Sequence, residues 1–322
     1  MKRLLLALPC LALIAAACEE PFTPKAPFTP KPVVTCIISG NNKGFSATAT
    51  VATTYDVGGL DPLENRTDPF DTNAVVMLTI GGDNDTLKLG RSKRADTSRY
   101  TTKEFKYSLG GTLPYYNTGS IALTVKMGDG RRVSASCTAP RGRVIESSYQ
   151  FVAGVTARTT DPLWTFDWNN EQRDDHLYFP KLQLAYQVAG PKGAVYKTVE
   201  IPMRYLDKDG KHVPVYPSFT RDLKISYDFA ALERAVASIS EGDTLKSRYT
   251  IGMLTFTLIE YDLHLSNYYA SSHGYLDEYS IRVDETTYSN LSGGIGIFGW
   301  AFTNQLPFEM NSRFIKSFGY QM

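Results

Sequence analysis

The chain has 322 residues, of which 43% are hydrophobic, with 34 basic and 33 acidic side chains and a formal charge of +1. That is enough chain for two domains with packed cores. A near-zero charge without a basic block excludes the long-range positive field on which nucleic-acid binding relies.

Taken from the start, Lys2 and Arg3 precede an apolar run over residues 4–14, then Ala15, Ala16, Ala17 and Cys18. A positive n-region, a short apolar h-region and small residues at a cut site form the layout of a secretory signal, and the run is too short to span a bilayer. Cys18 directly after the small residues resembles a bacterial lipobox, in which the signal (residues 1–17) is removed and the cysteine is acylated. Ala15 stands where that pattern usually has leucine. The alternative is an ordinary secretory peptide that leaves Cys18 free, and Cys10 departs with the signal in both. Removing Lys2 and Arg3 leaves 32 basic against 33 acidic residues, a mature charge of −1. No later run is apolar and long enough to cross a membrane, so the expected hold on the membrane is the lipid at Cys18.

Residues 18–32 carry the motif PFTPK twice, and prolines 21, 24, 27, 30 and 32 fix φ and remove amide donors. A polyproline-like spacer at about 3 Å per residue is expected there. Glu19 and Glu20 resemble the acidic surface-export signal of Bacteroidota lipoproteins, which implies an outer-membrane, cell-surface position; plain solvation is the other reading.

Residues 33–140 read as seven or so short strands: 33–39, 46–54, 75–80, 86–89, 99–109, 121–127 and 131–137. Asn41-Asn42-Lys43-Gly44, Gly81-Gly82-Asp83-Asn84-Asp85 and Gly128-Asp129-Gly130 supply turn chemistry between them. Strands at this spacing without a helical pattern argue for an immunoglobulin-like β-sandwich. Asp83, Asp85 and Asp129 lack the ligand spacing of a calcium loop and read as turn residues. Cys36 and Cys137 both lie in strands, so in an oxidising compartment they form either a disulfide or two buried thiols. Pro140 and the Arg141-Gly142-Arg143 run mark the boundary.

Residues 144–322 read as a larger antiparallel β domain with one or two short helices. Strands are expected at 144–152, 163–168, 177–188, 194–204, 248–263, 293–302 and 313–320. Phe229, Leu232, Val236 and Ile239, at spacings of 3, 4 and 3, mark one helix, with Asp228 as its cap and Gly242 as its stop. Residues 266–279 are a second helical candidate.

The chemistry-bearing motifs are sparse. Gly294, Gly296 and Gly299 spell GxGxxG, but no helical pattern follows and no acidic residue stands about 20 positions on, so a nucleotide cradle is not expected. A glycine-rich bend beneath Phe298 and Trp300 fits better. His176, His212, His264 and His273 are scattered, and Asp174-Asp175-His176 reads as a solvated loop, not a metal site. Asp284 and Glu285 are adjacent in sequence and point to opposite faces of a strand, so they do not form an acid–base pair. No GxSxG elbow occurs. No catalytic residue, metal ligand or cofactor is expected.

The stretch Thr287-Tyr288-Ser289-Asn290-Leu291-Ser292-Gly293-Gly294-Ile295-Gly296-Ile297-Phe298-Gly299 resembles the YSNIxGGxGIFG signature near the end of a Bacteroidota lipoprotein family catalogued as domain of unknown function 4249. Leu291-Ser292 departs mildly from it. The resemblance makes Ser289, Asn290, Gly293, Gly294, Gly296, Phe298 and Gly299 the family signature. It implies an outer-membrane accessory or ligand-binding subunit, often encoded beside TonB-dependent transporters, without assigned catalytic residues. Two other readings stand beside it: a fimbrial subunit that assembles by strand donation, and a surface glycan-binding module using exposed Tyr and Trp.

Overall fold

The computed structural model of the chain describes residues 28–56, 70–93, 103–112, 119–140, 142–149, 163–168, 175–273 and 288–322. The fold is mainly β, as expected. Its spine is a sheet of eight strands in the order β12-β11-β16-β17-β1-β2-β6-β5. These are β1 (Pro32–Asn41), β2 (Gly44–Thr53), β5 (Lys88–Lys93), β6 (Lys103–Gly111), β11 (Tyr178–Gly190), β12 (Gly193–Glu200), β16 (Tyr249–Tyr261) and β17 (Ile295–Phe308). A second sheet, of order β4-β3-β7-β8, comprises β3 (Val75–Ile80), β4 (Asp83–Thr86), β7 (Ser120–Lys126) and β8 (Arg132–Thr138). A third joins β9 (Glu146–Ser147), β10 (Leu163–Asp167) and β15 (Lys224–Asp228), and β13 (Arg204–Lys208) pairs with β14 (Lys211–Val215).

Strand alternation sorts the buried residues of the long sheet onto its two faces. On one face, Val34, Cys36 and Ile38 of β1 and Phe298, Trp300 and Phe302 of β17 pack against Val76, Leu78, Leu123 and Val133 of the four-stranded sheet. Farther along the same face, Leu254, Phe256 and Leu258 of β16 and Phe308 of β17 pack against Trp164, Phe166 and the helix α1 (Phe229–Ser238). The reverse face carries Ile297, Ala301 and Tyr261, covered by Leu265 and Ala270 of α2 (Leu263–His273).

The division expected at 140–144 is crossed by this sheet. β17, from the C-terminal part, lies parallel to β1 with Cys36 opposite Phe298 and Ile38 opposite Trp300, and antiparallel to β16 on its other side. The N-terminal sandwich is therefore completed by the C-terminal strand. Sequence cannot show that pairing, because the partners lie about 260 residues apart, whereas local alternation is read strand by strand.

Two further expectations change. The segment 313–320 is not a strand. It holds α3 (Ser312–Ser317), which Asn311 caps by accepting from Arg313 N at 2.8 Å. Phe314 stacks edge-on against Phe318 at 5.1 Å, an i,i+4 contact that the strand-like alternation Phe314, Lys316, Phe318 hides. The run after Leu87 is a second strand, β5, that leaves β4's sheet and joins β6 in the long one. The helix expected around Phe229 is present, with Asp228 at the cap position in extended backbone but without a side-chain capping bond. The expected helix at 266–279 begins earlier, at Leu263, and residues 274–279 lie outside the described ones.

Gly296 holds the parallel seam. Its φ of +128° is in the range that glycine favours, and a β-carbon there would collide with the Val34 carbonyl of β1. Gly296→Ala should cost more than about 2 kcal/mol in chemical denaturation, whereas Gly90→Ala, whose β-carbon would meet nothing closer than 3.6 Å, should stay within about 0.5 kcal/mol.

Candidate functional site

The two cores on the shared face meet along a seam, and the polar residues at that seam are buried. Arg143 belongs to the segment linking the two halves of the chain, yet its side chain is 3% exposed. Its Nε donates to Glu260 Oε2 and its Nη2 to Glu260 Oε1, both at 3.2 Å. Nη2 also donates to the Tyr178 hydroxyl at 2.8 Å, and the backbone N of Arg143 donates to Asn304 Oδ1 at 3.0 Å. One linker residue is thus bonded to β11, β16 and β17. Gly142 before it is as confined, since a β-carbon there would lie 2.9 Å from Phe302 and 3.2 Å from Asn304 Oδ1.

His176, expected in a solvated loop, is 7% exposed and sits 2.9 Å through Nδ1 from Glu260 Oε1. Burial of a histidine beside a carboxylate far away in sequence leaves no local pattern, which is why spacing missed it. Asp262 follows two residues after Glu260, just past the end of β16. Its Oδ1 accepts from Leu265 N at 2.8 Å and so caps the start of α2. Its backbone N donates to Trp300 O at 2.9 Å. Oδ2 has no hydrogen-bond partner, and the Cys137 thiol is close enough to act on the carboxyl. Desolvation raises the Asp262 carboxyl to about 6, against a lowering pull from its backbone donors and His176.

Cys36 and Cys137 are free, buried thiols on facing walls of the sandwich core. Burial pushes the Cys36 thiol up to about 12; Cys137 rises also, through burial first and then the charge of Asp262. Thiols held protonated are poor nucleophiles, so the approach of Cys137 to Asp262 does not constitute an activated cysteine. Cys18 lies outside the described residues, as do Asp174, Asp284 and Glu285.

The glycine signature is packing, not a phosphate cradle. β-Carbons at Gly293, Gly294 and Gly299 would meet the Arg132 carbonyl, the Pro32 carbonyl and the Leu265 side chain, so the space beside each is filled by this chain. Asn290 clamps the strand that follows: Nδ2 donates to Phe298 O at 2.7 Å and Oδ1 accepts from Phe298 N at 2.9 Å. Ser289 Oγ accepts from Gly296 N at 3.1 Å. The signature residues thus position β17 between β1 and β16.

A separate groove of about 940 Å³ opens beside β10 and β15, lined by Asp167, Arg204, Phe219, Arg221, Asp222 and Lys224 among others. Its size suits a small ligand, and its charges of both signs suit a polar one. Nothing in the sequence pattern marked it, because its walls come from β10, the start of β13, the 217–223 segment and β15. All three tryptophans, Trp164, Trp168 and Trp300, are no more than 1% exposed, so they offer no platform for a glycan; Tyr196 and Tyr216 are exposed. Among the described residues no three metal-ligating side chains gather, and no helix is long and apolar enough to cross a membrane. No family model matches the chain, and no curated protein matches it either.

Three outcomes are expected. Arg143→Met should destabilise by about 3–5 kcal/mol in chemical denaturation, because Glu260 is left buried without its cation. Asp262 binds a proton more tightly folded than unfolded, so the stability it contributes is complete below about 4 and lost as pH rises through about 6. Asp262→Asn should therefore flatten the stability profile across that window, read by melting temperature at stepped pH. Cys36 and Cys137 should resist a thiol reagent in the native chain and both react in denaturant; a chain lacking both thiols after unfolding would instead be bridged.

Proposed function

We propose that the chain is an outer-membrane lipoprotein held by acylated Cys18, and that it acts as a non-catalytic ligand-binding or accessory subunit beside a TonB-dependent transporter. Membership of the family catalogued as domain of unknown function 4249 is part of the same reading. The observation that carries it is the succession of apolar leader, Ala15-Ala16-Ala17-Cys18 and proline-rich spacer at the start of the chain.

The way the spacer ends supports this. Lys31 N donates to Thr54 Oγ1 at 2.8 Å, Thr54 N donates back to Lys31 O at 2.9 Å, and Arg131 donates to the Pro30 carbonyl. Pro32 then opens β1, which lies inside the long sheet between β17 and β2. A pull on the lipid is thereby delivered to an inner strand and not to a fraying terminus. The groove at Arg204, Arg221 and Lys224 supplies a place for a polar ligand. Of the other readings, the glycan module retains tyrosines alone, since the tryptophans are interior.

The test is purification of the full-length chain from detergent-solubilised membranes of its own cells. Recovery together with a TonB-dependent transporter, lost when Cys18→Ala releases the chain from the membrane, is the expected result. Recovery always alone, or an unacylated Cys18 by mass spectrometry, would remove the reading.

A further inference from the structure

The two ends of the long sheet are guarded differently. β5, at one end, carries Lys88 and Arg91, both exposed, along its six residues. Cations spaced along an edge are a usual defence against pairing with another strand. β12, at the other end, has no strand on its outer side among the described residues. Gly193 to Thr198 are exposed on both faces, with Val195 at 54% and Tyr196 at 77%. No proline and no bulge interrupts its pairing with β11, where register runs unbroken from Gln183–Glu200 to Gly190–Gly193. Arg248 Nε donates to Ala189 O at 2.9 Å and braces the end of that hairpin. The edge is regular, and it carries a single cation, Lys197, in its eight residues.

Its order of side chains is self-complementary in one antiparallel register. A two-fold axis through a strand pair must pass through a residue facing its own copy, because hydrogen-bonded and non-hydrogen-bonded pairs alternate. Placed on Lys197, the axis opposes two lysines, which is destabilising. Placed on Tyr196, it sets Tyr196 against Tyr196, Val195 against Lys197 and Ala194 against Thr198, and brings Lys192, in the turn just before β12, level with Glu200 at both ends. That register opposes no like charges, stacks two exposed rings and lays each Lys197 stem over a valine.

We propose that β12 is the interface through which a second copy of this chain docks, joining two eight-stranded sheets into one across a two-fold axis at Tyr196. The axis is perpendicular to the sheet, so the two spacers leave from opposite ends of the pair. At about 3 Å per residue, residues 18–29, which precede the hold on Pro30, would reach some 36 Å, and both lipids would meet one bilayer when the axis stands along its normal. Holding both copies on one membrane raises their effective concentration, which compensates for a short interface.

The test uses the full-length chain in its own membranes and in detergent. Directly opposed residues place their Cα atoms about 4.5–5.5 Å apart, within disulfide reach, while an offset of two residues does not. Under catalysed oxidation Tyr196→Cys should give a covalent dimer and Lys197→Cys should not. In sedimentation, Lys192→Glu should weaken dimerisation about tenfold, because two attractive pairs become repulsive, and Lys192→Glu with Glu200→Lys should restore it. A chain that stays monomeric on the membrane, a Lys197→Cys dimer as abundant as that of Tyr196→Cys, or a Lys192→Glu variant that dimerises unchanged would each overturn the proposal. The cysteine pair keeps the test decisive should Glu200→Lys fail to fold.

Discussion

The structure depends on one buried ion pair. Arg143 and Glu260 meet where the two cores of the long sheet adjoin, and both side chains are 3% exposed or less. Two charges taken out of water are tolerable only when each finds a full set of partners. Glu260 has the guanidinium and His176, while Arg143 has Glu260, the Tyr178 hydroxyl and a ring 5.6 Å away. The pair does little for raw stability compared with apolar residues of the same volume. What it joins is the linker to the sheet: the Arg143 side chain is bonded to β11 and β16 and its backbone N to β17.

A chain whose sequence reads as two β domains folds around one continuous sheet, and the pair sits where the two cores on that sheet adjoin. β17 enters from the far end of the sequence and becomes the strand that both cores share. Phe298, Trp300 and Phe302 serve one core, Phe308 serves the other, and Asn304 between them accepts from the Arg143 backbone. Period-two alternation makes this possible, since residues 298 to 308 of even number all lie on one face. The glycines of the signature permit the close approach, because a side chain at Gly296 or Gly299 would occupy space that β1 and α2 already fill. Asn290 and Ser289 then fix where the strand starts.

Placement of charge follows the same plan. Carboxylates and imidazole that the fold needs for joining are inside, at Glu260, Asp262 and His176, while the groove beside β15 and the β12 edge carry the exposed chemistry. The raised Asp262 carboxyl is a consequence of burying an acid at a helix start, where its backbone donors, His176 and the Cys137 thiol only partly offset the loss of water.

Much of this was legible in the residues alone. The mainly β class, most strand positions and the helix at Phe229 follow from alternation, 3.6-residue spacing and turn chemistry, each a property of near neighbours in the chain. The role of the glycine-rich stretch as packing, and not as a nucleotide cradle, was also readable from what fails to follow it. Tertiary structure alone decided the partner of β17, the burial of His176, the helix at Ser312 and the meeting of Arg143 with Glu260. Those depend on which distant surfaces adjoin, and a one-dimensional pattern records how a segment alternates but not what it will lie against.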